Sequence, residues 1–143
     1  MEKARKGLKF LSECILIFLT FSFIRTILEV FLVDIKVDNI PGNTMLIVKI
    51  VLCVIYAVII FGPQLYVGVK GIKVANKPDD SKAHIVWAVI FVIFAVIAGI
   101  SAISDMAGTG DIAGNVFRLI DAVIDIAFYF IYIKYAKKVL ESV

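Results

Sequence analysis

Apolar residues along this chain come in four long runs, at about 10–33, 45–69, 84–104 and 112–135. Each is near or above the roughly 20 residues a helix needs to cross the hydrocarbon core of a bilayer. The runs are too long for strands and show no period-two alternation. Turn-forming residues separate them: Asp38-Asn39-Ile40-Pro41-Gly42-Asn43, Asn76-Lys77-Pro78-Asp79-Asp80-Ser81, and Gly108-Thr109-Gly110-Asp111. Asp80 or Ser81 is placed to cap the third run. The pattern predicts an all-α polytopic membrane protein: a single four-helix transmembrane bundle, residues 1–143 forming one domain with short loops.

Composition strengthens this reading. Hydrophobic residues make up 62% of the chain, charged ones only 19%, and mean hydropathy is +1.01. A soluble domain carries about 45–50% apolar and about 25% charged residues. The apolar run after Lys3, Arg5, Lys6 and Lys9 continues to Val33, too long for a cleaved leader, so a retained first span is expected. Cys14 and Cys53 fall at different depths, about 10 Å apart at 1.5 Å per residue, and a disulfide needs Cα atoms within about 7 Å. Two free thiols are therefore expected. His84 is the lone histidine and no CxxC occurs, so no metal site and no cofactor is expected.

Charge placement sets the orientation. Eleven of the 15 basic residues (Lys3, Arg5, Lys6, Lys9, Lys70, Lys73, Lys77, Lys82, Lys134, Lys137 and Lys138) lie in the tails and second loop. The first and third loops hold only Lys36, beside Asp34, Asp38, Asp105 and Asp111. The positive-inside rule then puts both termini in the cytoplasm of a multi-pass protein of the cell membrane. Tyr66, Trp87, Tyr132 and Tyr135 suit an aromatic belt at that interface. The lysine-rich tails suit the lipid bilayer as a partner, through anionic headgroups, and are too short for nucleic acid.

Six ionisable residues fall inside the spans: Arg25, Glu29, Lys49, Arg118, Asp121 and Asp125. A charge at mid-bilayer costs at least about 2.5–3.5 kcal/mol, so these should face one another or water. Ser22, Arg25 and Glu29 share one face of span one. Lys49, Cys53 and Tyr56 share one face of span two, and Arg118, Asp121, Asp125, Tyr129 and Tyr132 one face of span four. Counted from the outer boundaries, Glu29, Lys49 and Arg118 lie in the outer leaflet, Arg25 and Asp121 deeper, and Asp125 deepest. Ser101, Ser104 and Asp105 add polarity at the outer end of span three. The inner half is expected to be packed and apolar apart from tyrosines. The six residues form either a ligand-binding pocket in the outer half or an intramembrane network of packing salt bridges.

Smaller patterns add less. Asp38 to Asn43 and Gly110 to Asn115 share Ile, Gly and Asn at an offset of 72 residues (38 to 110). Loop chemistry alone favours such residues; a duplicated helical hairpin is the other reading, and pairs Lys49 with Asp121 and Cys53 with Asp125. Ala88, Ala95, Gly99 and Ala102 form a small-residue seam that suits close helix packing and, less well, a homodimer face. Gly62-Pro63-Gln64-Leu65-Tyr66, followed by Lys70, Gly71 and Lys73, resembles the motif of PQ-loop transporters. Those proteins are built on three-helix units, which four spans do not match. A proline kink is the plainer reading. Small multidrug transporters are similar in size, but Glu29 lies nearer the outer end than their embedded glutamate.

No Ser-His-Asp set, HExxH or phosphate-binding glycine loop occurs, so no enzyme is expected. The leading expectation is a small four-span protein that binds or transports a small polar or zwitterionic solute through the charged pocket. The alternative is a non-catalytic accessory or structural subunit of a membrane complex, its charges docking another membrane protein.

Overall fold

A computed structural model describes residues 2–32, 42–108 and 112–142, with Glu29, Gly42 and Asn43 as backbone only. The charges Asp34, Lys36, Asp38 and Asp111, and half of the repeated loop motif, lie outside the described residues. Every regular element among the described residues is helical: α1 (Glu2–Leu32), α2 (Gly42–Tyr56), a π-helical segment (Ala57–Phe61), α3 (Gly62–Asn76), α4 (Ala83–Gly108) and α5 (Ile112–Leu140). α2, the π segment and α3 follow one another without a break, as one rod.

Among the described residues, three stretches are long and apolar enough to cross a membrane: Glu2–Leu32, Thr44–Asn76 and Ala83–Gly108. α5 matches them in length with 29 residues. Its apolar run, however, is interrupted by Arg118, Asp121, Asp125 and Lys134. Large apolar side chains cover the outward faces, with Phe21 68% and Phe117 69% exposed. Contiguous apolar surface of this kind suits lipid rather than water.

The helices run past the apolar stretches at the lysine-rich end, where the start of α1, the end of α5 and the α3–α4 turn gather. α1 begins at Glu2 because Ala4, Leu8, Leu11, Ile15 and Leu19 continue one buried stripe. That stripe packs with Val67, Val74 and Ala75 of α3, Ile85, Ala88 and Phe91 of α4, and Tyr129, Tyr132, Ala136 and Val139 of α5. Around this core α1 touches α3 and α5, and α4 touches α3 and α5, whereas α1 and α4 do not meet among the described residues.

Two glycines allow the closest approaches. A Cβ on Gly68 would lie 2.6 Å from Leu16, and one on Gly71 would lie 2.6 Å from the Tyr132 hydroxyl and collide with Ser12 Oγ. The space left at Gly71 lets the Tyr132 hydroxyl donate to the Val67 carbonyl at 3.0 Å. Tyr132 is fully buried, so it does not belong to an interfacial belt. Its position on the inward face of α5 outweighs the preference of tyrosine for interfaces. Tyr66 and Trp87 are exposed and remain available to one. Ser12 satisfies itself locally, donating to the Leu8 carbonyl at 2.7 Å.

Side chains finish the helix ends. Arg5 Nε donates to the Ala75 carbonyl at 2.8 Å and its Nη2 to that of Asn76, answering the orphan carbonyls that end α3. α4 starts later than the sequence suggests: the Lys82 carbonyl accepts from Ile85 and Val86, so Lys82, not Asp80 or Ser81, holds the cap position. Asp79 is engaged elsewhere. Its carboxylate accepts from the Ser81 N–H at 3.0 Å and from Lys70 Nζ at 2.6 Å, clipping the turn to α3.

The Lys70 hydrogen bond, with help from Ser81, holds the Asp79 carboxyl below its ordinary value of 3.8. A depressed acid contributes stability above its unfolded pKa and loses it as pH falls through the folded one. Asp79→Asn should therefore lower the melting temperature slightly at pH 7. The difference from wild type should close once the pH drops below the carboxyl's folded value, as read from melting curves across an acid series.

The widened π turn stands directly before Pro63. Gly62 N–H reaches back to the Ala57 carbonyl, and Pro63 has no N–H to continue the ladder. On the facing side Phe23 of α1 packs against Phe61 at 4.4 Å and Tyr56 at 6.3 Å between ring centroids.

Candidate functional site

Away from the lysine-rich core the four rods separate into two pairs. α2 touches only α1 and its own continuation, and approaches neither α4 nor α5 among the described residues. α1 has no buried residue beyond Leu19 among those described, and α2 has none. α4 and α5 stay together along their length through the small-residue seam. A Cβ on Gly99 would sit 3.5 Å from that of Ala122, so this seam is taken up within the chain.

Phe18 of α1 lies edge-on to Phe128 of α5, at 6.4 Å between centroids. Helical register then places the charges. Arg25 lies two turns beyond Phe18 on the same face of α1, and Asp121 two turns beyond Phe128 on the same face of α5. Asp125 lies two turns from Tyr132 on the face that Tyr132 turns toward the core. Arg25, Asp121 and Asp125 are all exposed. Phe128 also lies edge-on to the buried Tyr129.

Lys49 and Arg118 each have a described partner within their own pair. Lys49 is half-buried against α1, its Nζ 3.4 Å from the Phe31 carbonyl. Tyr56 and Ser22 share a hydroxyl contact of 3.5 Å, so the Lys49, Cys53 and Tyr56 face is turned to α1. Both thiols are free. Arg118 forms an ion pair with Asp105 of α4 at 2.9 Å and donates to Asn115 at 3.1 Å. Glu29 belongs to α1, and its side chain lies outside the described residues.

Asp105 thus takes up the arginine that register alone associates with Asp121 and Asp125. Asn115 is the other partner not read from the sequence. Its i, i+3 spacing to Arg118 carries the signal, and it is buried at 5% exposure. With Arg118 matched to Asp105, Asp121 and Asp125 remain exposed on α5, as Arg25 is on α1. No group of His, Cys, Asp or Glu among the described residues could hold a metal ion.

No known family model matches the chain, and no curated protein and no solved structure matches it either.

Proposed function

We propose that this chain crosses the membrane four times, with both termini cytoplasmic, and binds a small zwitterionic solute between its two helix pairs. One observation carries the reading: beyond Phe18 and Phe128 the faces that bear Arg25 on α1 and Asp121 and Asp125 on α5 are exposed rather than packed. A zwitterion fits such opposed signs, its anionic end toward Arg25 and its cationic end toward the two aspartates. Charges in a wet space also avoid most of the desolvation cost of a dry core. α5 serves as the fourth span, its acids turned to that space instead of lipid.

The test is ligand-dependent stability of the purified protein in detergent. Free amino acids and glycine betaine are the probes. A ligand at 100 times its Kd raises stability by about 2.7 kcal/mol. At least one probe should raise the melting temperature, and Arg25→Gln and Asp125→Asn should each abolish that rise. If no probe does so, the solute reading fails.

A second reading rests on α2, which is apolar, buries none of its described residues and meets no helix except α1. That surface fits an accessory subunit whose α2 docks a helix of another membrane protein. On this reading the protein alone melts at low temperature with every solute, and a co-purified membrane partner stabilises it.

A further inference from the structure

The lysine-rich end carries two recesses, one on each side of the start of α1. The first, about 420 Å³, is lined by Glu2, Arg5, Lys6, Lys9, Ala75 and Asn76. Much of its charge is already engaged. Lys6 lies 2.6 Å from Glu2, and Arg5 is spent on the end of α3. The second, about 360 Å³, opens between α1 and α5 and is lined by Lys3, Ala4, Ile131, Lys134, Tyr135 and Lys138. No carboxylate lines it among the described residues, and three ammonium groups share one small recess.

The walls are fixed by packing. Ile131, Lys134 and Lys138 follow at i, i+3 and i+7, one stripe of α5. Tyr135 is pressed against α1, because Gly7 has no side chain; a Cβ there would come within 2.9 Å of the phenol ring. Ile131, 44% exposed, extends the stripe toward the apolar middle of the helix. Three like charges beside one another repel, and a bound anion removes that repulsion. Lysine binds phosphate as a point charge without demanding bidentate geometry.

We propose that this second recess binds the phosphate headgroup of an anionic phospholipid, with an acyl chain running past Ile131 along α5. The proposal rests on the membrane reading above, which puts this end of α5 at the headgroup level. Free phosphate shares the chemistry but makes no use of the apolar exit at Ile131.

Native mass spectrometry of the full chain in detergent, titrated with phosphatidylglycerol, phosphatidylcholine, inorganic phosphate or glycerol phosphate, tests it. Wild type should take up one phosphatidylglycerol in preference to phosphatidylcholine. The triple variant Lys3→Gln, Lys134→Gln, Lys138→Gln should bind it roughly a hundredfold more weakly, from about a fivefold contribution per lysine near a charged surface. The charge-matched variant Lys73→Gln, Lys77→Gln, Lys82→Gln should keep the bound lipid. Should the triple variant not fold, Lys134→Gln alone should show the loss of about fivefold. Equal loss in both triple variants, no preference over phosphatidylcholine, or inorganic phosphate or glycerol phosphate binding as tightly as the lipid would overturn the site. A chain that does not enter phosphatidylcholine vesicles at all overturns the membrane reading, and the site with it.

Discussion

Gly71→Leu should prevent the lysine-rich end from closing, and Gly71→Ala should weaken it measurably. The added Cβ falls where Ser12 Oγ and the Tyr132 hydroxyl now sit. Overpacking a filled core costs about 1–3 kcal/mol. Alanine returns about 1 kcal/mol of helix propensity relative to glycine. The net for Gly71→Ala is a loss of about 1–2 kcal/mol, because Tyr132 also has to give up its bond to the Val67 carbonyl. Leucine cannot fit without separating α1 from α3, and its loss should exceed about 3 kcal/mol. Gly108 supplies the contrast. Nothing lies within 4 Å of its would-be Cβ, so Gly108→Ala should be neutral or stabilising by up to about 1 kcal/mol. Thermal unfolding in detergent reads all three; a neutral Gly71→Leu would show that α1 and α3 do not approach there.

Arg118→Ala should cost about 2–3 kcal/mol in a membrane-like environment. The value lies between the roughly 0–1 kcal/mol of a surface ion pair and the about 3–5 kcal/mol of breaking a buried one. The pair is intermediate, with Arg118 and Asp105 side chains 55% and 41% exposed near the end of α4. Most of the loss comes from stranding Asp105, so Arg118→Ala with Asp105→Asn should recover part of it. Lys77→Ala, at an exposed position, should change little. Equal melting temperatures for Arg118→Ala and Lys77→Ala would mean that Asp105 gains nothing from its arginine.

How far these partners could be read in advance follows from the signal each leaves in the sequence. The helical class was open to inspection, since runs such as Ala83–Gly108 have neither breakers nor alternation. The thiols also followed, from the depths of Cys14 and Cys53. Which of two acids takes an arginine is a different kind of question. Asp121 shares a face with Arg118, but Asp105 reaches it from the neighbouring helix, and register within one helix says nothing about the packing of two. The fate of Tyr132 was hidden for the same reason: only the bare backbone at Gly71, on another rod, makes room for its hydroxyl. The late start of α4 turned on Asp79, whose carboxylate is drawn to Lys70 and Ser81. The separation of α2 from α4 and α5 has no signature in an apolar run, because lipid and a neighbouring helix favour the same residues.

The central claim is that Arg25, Asp121 and Asp125 border a water-filled space open at the end away from the lysines. Single cysteines, in a chain whose Cys14 and Cys53 are replaced by alanine, should be treated in intact cells with a membrane-impermeant thiol reagent. Arg25→Cys, Asp121→Cys and Asp125→Cys should react from outside, as should Thr44→Cys. Val123→Cys and Phe130→Cys, on the outward face of α5, should not, and neither should Lys77→Cys at the α3–α4 turn. Reaction at Thr44→Cys with none at positions 25, 121 and 125 would mean a sealed space, and reaction at Lys77→Cys instead of Thr44→Cys would mean the opposite orientation; either result would contradict the account.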